Sequence, residues 1–470
     1  MLKSYRFLLL TGLLPLLPLA ARAQVTSPAG TAPALPAAAA SAQEPAHRDT
    51  VADGRRSNWS LHFQQTVIQQ WHSELTTPYA GDYSLQDREK AKLSLTTTVF
   101  LGRKLWRGAA LFFNPEVAGG SGLSGARGVA GFPNGETFRI GAPEPVLYLA
   151  RLYVRQEFAL GPATEALDDD NNQVAGRHPT HYLALNLGKF SAADYFDQNI
   201  YSHDPRTQFL NWSLMSAGAW DYPANVRGYT VGGVVEYVRP GLALRFGSTL
   251  LPTSANGPDL DFDYATAHAE TIELTKAYRL GGHPGTLRLL GFRNVAAMGD
   301  YRAATTEGQT TRQQPDVTAQ RRNGRSKSGF VVNAEQEVSA DIGLFGRLSY
   351  NDGQYETWAF TEIDQSVSLG ATSTGARWQR PDDRLGLAVV TNGISAAHRA
   401  YLAAGGYGFI VGDGGLNYGP EFIAETYYSI ALPRYHASLS PDYQFIINPG
   451  YNRDRSGPVH VVALRAHVEF

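Results

Sequence analysis

The last nine residues of the chain read VALRAHVEF, and every second one is apolar: Val462, Leu464, Ala466, Val468 and Phe470. Ala463, Arg465, His467 and Glu469 lie between them. A strand points alternate side chains to opposite faces, so this segment has one apolar face and one mostly polar face. The same period of two recurs along the chain. Trp59, Leu61 and Phe63 alternate with Ser60, His62 and Gln64. Leu93, Leu95, Thr97, Val99 and Leu101 form another face, as do Val146, Tyr148, Ala150, Leu152 and Val154, and later Phe422, Ala424, Thr426, Tyr428 and Ile430. Such alternation predicts strands set between two different environments. In a soluble sheet the apolar face meets a core. In a membrane barrel it meets lipid, and a terminal aromatic sits at an interfacial girdle.

Length decides between these two. Roughly 410 residues of such material follow residue 57, whereas a single packed core stops growing at about 250–300 residues. A barrel around a wet lumen escapes that limit. Past the N-terminal region there is no apolar run long enough for a spanning helix, but barrel strands are short and only half apolar, so hydropathy does not register them. The 48 Gly, 24 Tyr and 21 Phe suit a large chain rich in turns and aromatics. The expectation is an all-β, transmembrane outer-membrane β-barrel of about 16 antiparallel strands over residues 58–470. Closure would pair its first strand, Trp59 to Gln69, with its last.

The chain begins MLKSYRFLLLTGLLPLLPLAARAQ. Lys3 and Arg6, an apolar run and the Ala21-Arg22-Ala23 box predict a secretory signal peptide over residues 1–23. Its removal leaves 38 Lys and Arg against 43 Asp and Glu, a formal charge of −5. Nothing in that mild acidity suggests nucleic acid. The chain has no cysteine, so neither disulfides nor thiolate metal sites are available. Residues 24–57 are Ala/Pro-rich and predict a disordered periplasmic leader.

Connections alternate in length. A long link (His72 to Ala91) is followed by the tight turn Gly102 to Gly108, then by a long loop from Ala118 to Pro145. Arg239-Pro-Gly241 is a minimal turn flanked by the long segments 189–227 and 251–268. Short periplasmic turns and long outer loops are the pattern of bacterial barrels. Residues 159–180 depart from it: they should be periplasmic, yet they are long. Their Asp168-Asp-Asp-Asn-Asn172 run shares only composition with a calcium loop and reads as solvated. The stretch 392–419 has no clear placement.

Four segments carry a family resemblance: DYFDQNIYSHDPRTQFLNWSLMSAGAWDYPANVRGYTVGG (Asp194 to Gly233), LGRKLWRGAALFFNPEVAGGSGLS (Leu101 to Ser124), HRAYLAAGGYGFIVGDGGLNYGPEFIAETYY (His398 to Tyr428) and PDYQFIINPGYNRDRSGPVHVVALRAHVEF (Pro441 to Phe470). They resemble the carbohydrate-selective porins of Gram-negative outer membranes, in order along nearly the whole mature chain. The resemblance implies a 16-stranded monomeric barrel that passes mono- or oligosaccharides and needs no cofactor.

A sugar pore needs polar groups for hydroxyls and flat aromatics for the apolar C–H face, holding solute weakly enough to release it. Arg151, Tyr153, Arg155 and Glu157 share one face of the fourth strand and are the first candidate wall. Glu116, with Phe112 and Asn114 on its face, is a second. The 194–227 segment is the third: Arg206 to Met215 reads as a short helix after Asp204-Pro205, and a loop folded inward would narrow the lumen. Asp204, Arg206, Asn211, Trp212, Trp220, Asp221 and Arg227 supply its chemistry. Trp106, in a tight turn, reads as interfacial belt. Phe470 would lie at the periplasmic rim, where the barrel-assembly machinery reads the last strand. Two other readings compete: a general diffusion porin without sugar selectivity, and an exported β-rich glycoside hydrolase. A barrel lipase lacks a G-x-S-x-G context, and a plugged receptor would need 22 strands.

Overall fold

A computed structural model describes residues 58–137 and 144–470. The expected signal peptide and leader lie outside the described residues. The strands are β1 (Trp59–His72), β2 (Lys92–Lys104), β3 (Ala109–Gly120), β4 (Val146–Ala159), β5 (Thr164–Leu167) and β6 (Gly176–Pro179). Then come β7 (Tyr182–Phe190), β8 (Thr230–Arg239), β9 (Leu242–Leu250), β10 (His268–Leu280), β11 (His283–Ala296) and β12 (Arg325–Ser339). β13 (Ile342–Asn351), β14 (Gln365–Gly375), β15 (Arg380–Gly393), β16 (Glu421–Leu432), β17 (Ala437–Ile447) and β18 (Val459–Glu469) complete the set. All but β5 and β6 form one closed antiparallel barrel of 16 strands; those two make a separate hairpin.

Closure leaves no sheet edge unpaired, which a membrane requires. β1 pairs with β18 from Gln64↔Glu469 to His72↔Val461. Phe63 and Phe470 then exchange backbone hydrogen bonds, each 2.9 Å. The alternation of the last strand is read out as expected: Val462, Leu464 and Phe470 are exposed on the outside, while Ala463, Arg465 and His467 are buried within. The turns at the lower end are short, apart from the segment between β4 and β7. Gly281 and Gly282 join β10 to β11 with φ of +61° and +86°, the two positive values that a tight hairpin turn demands and that glycine adopts without strain.

One face assignment changes. The period of two in β4 predicts Tyr148 outside with Leu152 and Val154. The register instead slips between Asn114↔Arg151 and Pro115↔Leu149, leaving Ala150 as an extra residue. Tyr148 therefore points inward, as Arg151 does, and Leu147 lies outside. Pro115 has no N–H to give a ladder, so a bulge opposite it costs little.

The lumen also differs from the wet tube that the length suggested. Its upper part holds a packed apolar core made by inward loops, including Phe132, Phe209, Trp212, Trp220, Phe360 and Ile410. Three helices lie in these loops: α1 (Trp212–Met215), α2 (Tyr301–Thr311) and α3 (Ala396–Ala403). The expected helix over Arg206 to Met215 is confined to α1, where the Asn211 side chain accepts the Ser213 N–H at 3.0 Å. α3 falls in the stretch that the sequence left without placement, capped by Ser395.

Candidate functional site

The segment between β7 and β8 crosses the lumen. The Leu210 and Asn211 N–H groups donate to the Glu425 carboxylate of β16, and Asn211 Nδ2 donates to Gln444 Oε1 of β17 at 3.0 Å. Arg465 of β18 donates to the Pro205 and Gln208 carbonyls at 2.7 and 2.6 Å. Other wall carboxylates act alike. Glu273 accepts the Asp197 N–H at 2.7 Å, and Glu335 accepts the Ile200 N–H at 2.9 Å. Glu421 accepts the Ala130 and Gly131 N–H groups of the preceding outer loop at 3.0 and 2.7 Å. A buried loop must satisfy its backbone donors, and these side-chain oxygens accept from them.

Beside this loop runs a cavity of about 490 Å³, bordered by β3, β4, the inward loop and the hairpin β5–β6. It extends from Glu136, Arg206 and Arg227 at the outer end to Trp106, Asn171 and His178 at the periplasmic end. Glu116 stands where wall meets loop. It accepts from Thr98 Oγ1 at 2.6 Å, Tyr229 Oη at 3.0 Å and Tyr148 Oη, and its Oε2 lies 3.1 Å from Arg206 Nη2. Arg206 also holds Glu136 at 3.0 Å. This contact closes the gap between loop and wall.

Below it the wall is a ladder of paired charges. Arg151 grips Asp194 with two bonds of 2.7 and 2.6 Å. Arg155 meets Glu236 at 2.5 Å and Glu157 at 3.0 Å, and Arg245 meets Glu236 at 2.9 Å. A bidentate fork fixes both position and plane, so the Arg151 guanidinium is oriented before any solute arrives, and Arg155 and Arg245 are each held between two carboxyl groups. Not every buried polar atom here is paired. Arg151 Nη1, Gln198 Oε1 and His203 Nδ1 belong to cavity-lining residues and meet no hydrogen-bond partner in the protein.

Of the residues singled out from sequence, Arg151, Tyr153, Arg155, Glu157, Glu116, Asp204, Arg206 and Arg227 border this cavity. Asn211, Trp212, Trp220 and Asp221 lie apart from it, inside the loop core. Asp221 accepts three backbone N–H groups, from Trp358, Ala359 and Phe360, at 2.8–3.0 Å. The Trp212 indole donates to the Asn134 carbonyl at 2.9 Å. Tyr148, Tyr229, Asp194, Glu136, Glu236 and Arg245 went unnoticed. The minimal turn at Pro240-Gly241 pairs Glu236 directly with Arg245, so counting outward from that turn would have found both.

The closed barrel of sixteen strands is a fold found among known channels. Residues 88–470 match the family described as carbohydrate-selective porin, OprB family. The chain belongs to this family. The high-pH structure of Pseudomonas putida OprB is similar over 88% of this chain and 94% of that one, with a TM-score of 0.65 at 18% identity. The low-pH structure of the same protein gives 0.45 at 14% identity, over 88% and 92% of the two chains. The Acinetobacter baumannii outer-membrane channel DcaP gives 0.47 at 12%, over 88% and 97%. No curated protein sequence matches the chain. The porin is thus an outer-membrane carbohydrate diffusion channel of the Gram-negative type, a channel rather than an enzyme.

Proposed function

We propose that this porin passes neutral mono- and short oligosaccharides through the cavity between wall and loop, with Glu116 and Arg206 at the constriction and Arg151, Tyr153, Arg155 and Glu157 along the wall. One observation carries this reading: Arg151, Arg155, Arg206 and Arg245 each face a carboxylate within 3.1 Å. A wall of matched charges exerts little net field on ions yet offers many fixed donors and acceptors to hydroxyls. Tyr153, buried against Phe112 at 5.1 Å between ring centroids, gives the wall an aromatic flank.

Single-channel conductance in planar bilayers, titrated with mono- and disaccharides, tests it. The expected result is stepwise conductance that sugar blocks in a saturable way. Channels that sugar leaves untouched would make the protein a general diffusion porin.

The remaining parts follow the same reading. Residues 1–23 direct Sec-type export and 24–57 form a periplasmic leader. Outward Leu and Val side chains contact lipid, and Trp378, Tyr435 and Phe470 belong to a periplasmic aromatic girdle. The assembly machinery reads β18 and its terminal Phe470. Removing Phe470 should lower the amount of inserted porin in outer-membrane fractions; unchanged amounts would sink that role.

A further inference from the structure

The segment between β4 and β7 is far longer than a connection requires. Ala159 already pairs with Tyr182, and the Leu160 N–H donates to the His181 carbonyl at 2.8 Å. A two-residue turn would finish that hairpin, as it does elsewhere on this rim. The intervening residues instead fold beneath the lumen and are tied to strands well around the barrel. Lys104 Nζ of β2 donates to the Ala175 carbonyl at 2.5 Å, and Ser60 Oγ of β1 to the Asp170 carbonyl at 3.4 Å. Asn171 Nδ2 donates to Glu469 Oε1 of β18 at 2.7 Å, and His178 Nδ1 meets Glu157 Oε2 of β4 at 3.0 Å. Val174 is 3% exposed. A Cβ on Gly102 would come within 3.0 Å of its methyl.

This arrangement corrects the sequence reading of a solvated acidic loop. Asp168 and Asp169 are exposed, but Asn171 and Val174 are buried under the barrel.

We propose that this segment provides a second saccharide site at the periplasmic end, separate from the Glu116–Arg206 constriction, in which Asn171, Asn172, Gln173 and His178 face Trp106 and Arg107. All six border the lower end of the cavity. The side-chain carbonyl oxygens of Asn171 and Asn172 are buried and meet no donor in the protein. The Trp106 ring is 64% exposed, and its indole N–H is fixed by Gln156 Oε1 at 2.7 Å. A held, open indole covers the apolar C–H face of a sugar, while the side chains of Asn172, Gln173 and Arg107 exchange hydrogen bonds with its hydroxyls. Two weak sites in series let solute leave the constriction without a single deep well. The inference rests on the neutral-saccharide reading above.

The test uses the full-length porin in planar bilayers, with maltose added to one side at a time. Three forms are compared: wild type, a variant with residues 161–180 replaced by Asn-Gly, and Trp106→Ala combined with Asn172→Ala. Excision should raise open conductance at least about two-fold, because a narrow element in series is lost. Both variants should weaken block from the periplasmic side by about ten-fold, and block from the outer side much less. Periplasmic block of wild-type strength in the double variant would overturn the site, whether or not the excised form folds. Wild-type channels that maltose blocks from neither side would overturn the saccharide reading itself, and the second site with it.

Discussion

Two segments fold into this lumen from opposite ends, and they are held in different ways. The outer one, Ser191 to Tyr229, lies in an apolar core with Phe132, Trp220 and Phe360, and fully buried carboxylates satisfy its backbone. The periplasmic one, 160–181, contributes little beyond Val174 to any buried apolar contact and is pinned by side chains at its rim. The outer segment is therefore part of the fold, because its donors have no other partners. The periplasmic segment is an addition to a barrel whose strand pairing is complete without it. Within one channel, the first fixes the shape of the passage and the second can adjust it.

The sharpest way to break this contrast is to remove one anchor from each. Asp221→Ala strips the acceptor from three buried N–H groups. At about 1–3 kcal/mol for each unsatisfied group, partly relieved by relaxation, the cost is about 3–5 kcal/mol. Asn171→Ala removes one bond at the mouth and should cost about 1 kcal/mol. Urea unfolding in detergent micelles, followed by tryptophan fluorescence, measures both. Equal losses would mean that the two segments are not held differently.

A second effect concerns selectivity. Arg206→Ala leaves Glu116 and Glu136 without their shared cation. Cation permeability over anion permeability, read from reversal potentials in a salt gradient, should rise about three-fold or more. Arg177 also borders the cavity, in the periplasmic segment, but it is exposed and bonded to Thr164 at 2.7 Å. Arg177→Ala should change the same ratio much less. A larger change at Arg177 would move the controlling field to the lower mouth.

The contrast also marks what the sequence discloses. The barrel was legible because its cause is local: a period of two, minimal turns such as Pro240-Gly241, and a terminal Phe470 that must pair with the first strand. Arg151, Arg155 and Glu157 could be placed on one face by counting along β4. Tyr148 could not, since the bulge opposite Pro115 reverses the count within the same strand. The loop core was illegible for another reason. Phe132, Trp212 and Phe360 come from three separate loops, and nothing local says that they meet. Asp221 read as sugar chemistry because an acceptor for backbone donors and an acceptor for hydroxyls are the same group. The acidic run at 168–172 read as solvated because its burial depends on β1 and β18, far away in the chain.

The smallest expected effect is pH dependence, confined to the periplasmic segment. Burial pushes the Asp170 carboxyl up to about 6, with Glu469 and Asp169 adding repulsion and His62 opposing it. A raised carboxyl favours the docked form while protonated, so this contribution is full near pH 4 and is lost as pH rises through 6. The hydrogen bond to Glu157 raises the His178 imidazole above its ordinary value, against burial and the nearby Arg155. Its contribution is full below about pH 6.5 and is lost above that as the imidazole gives up its proton. Both signs agree: the segment is held more tightly at pH 5 than at pH 8. Hydrogen exchange of residues 163–179 should therefore be slower at pH 5 after correction for the intrinsic rate, and open conductance should be lower. Asp170→Asn should remove the part of this change that lies below pH 6, and His178→Gln the part above it. The outer segment, which bonds to neither Asp170 nor His178, should not respond to either substitution. An equal response there would assign the pH dependence to the whole barrel and erase the distinction between its two ends.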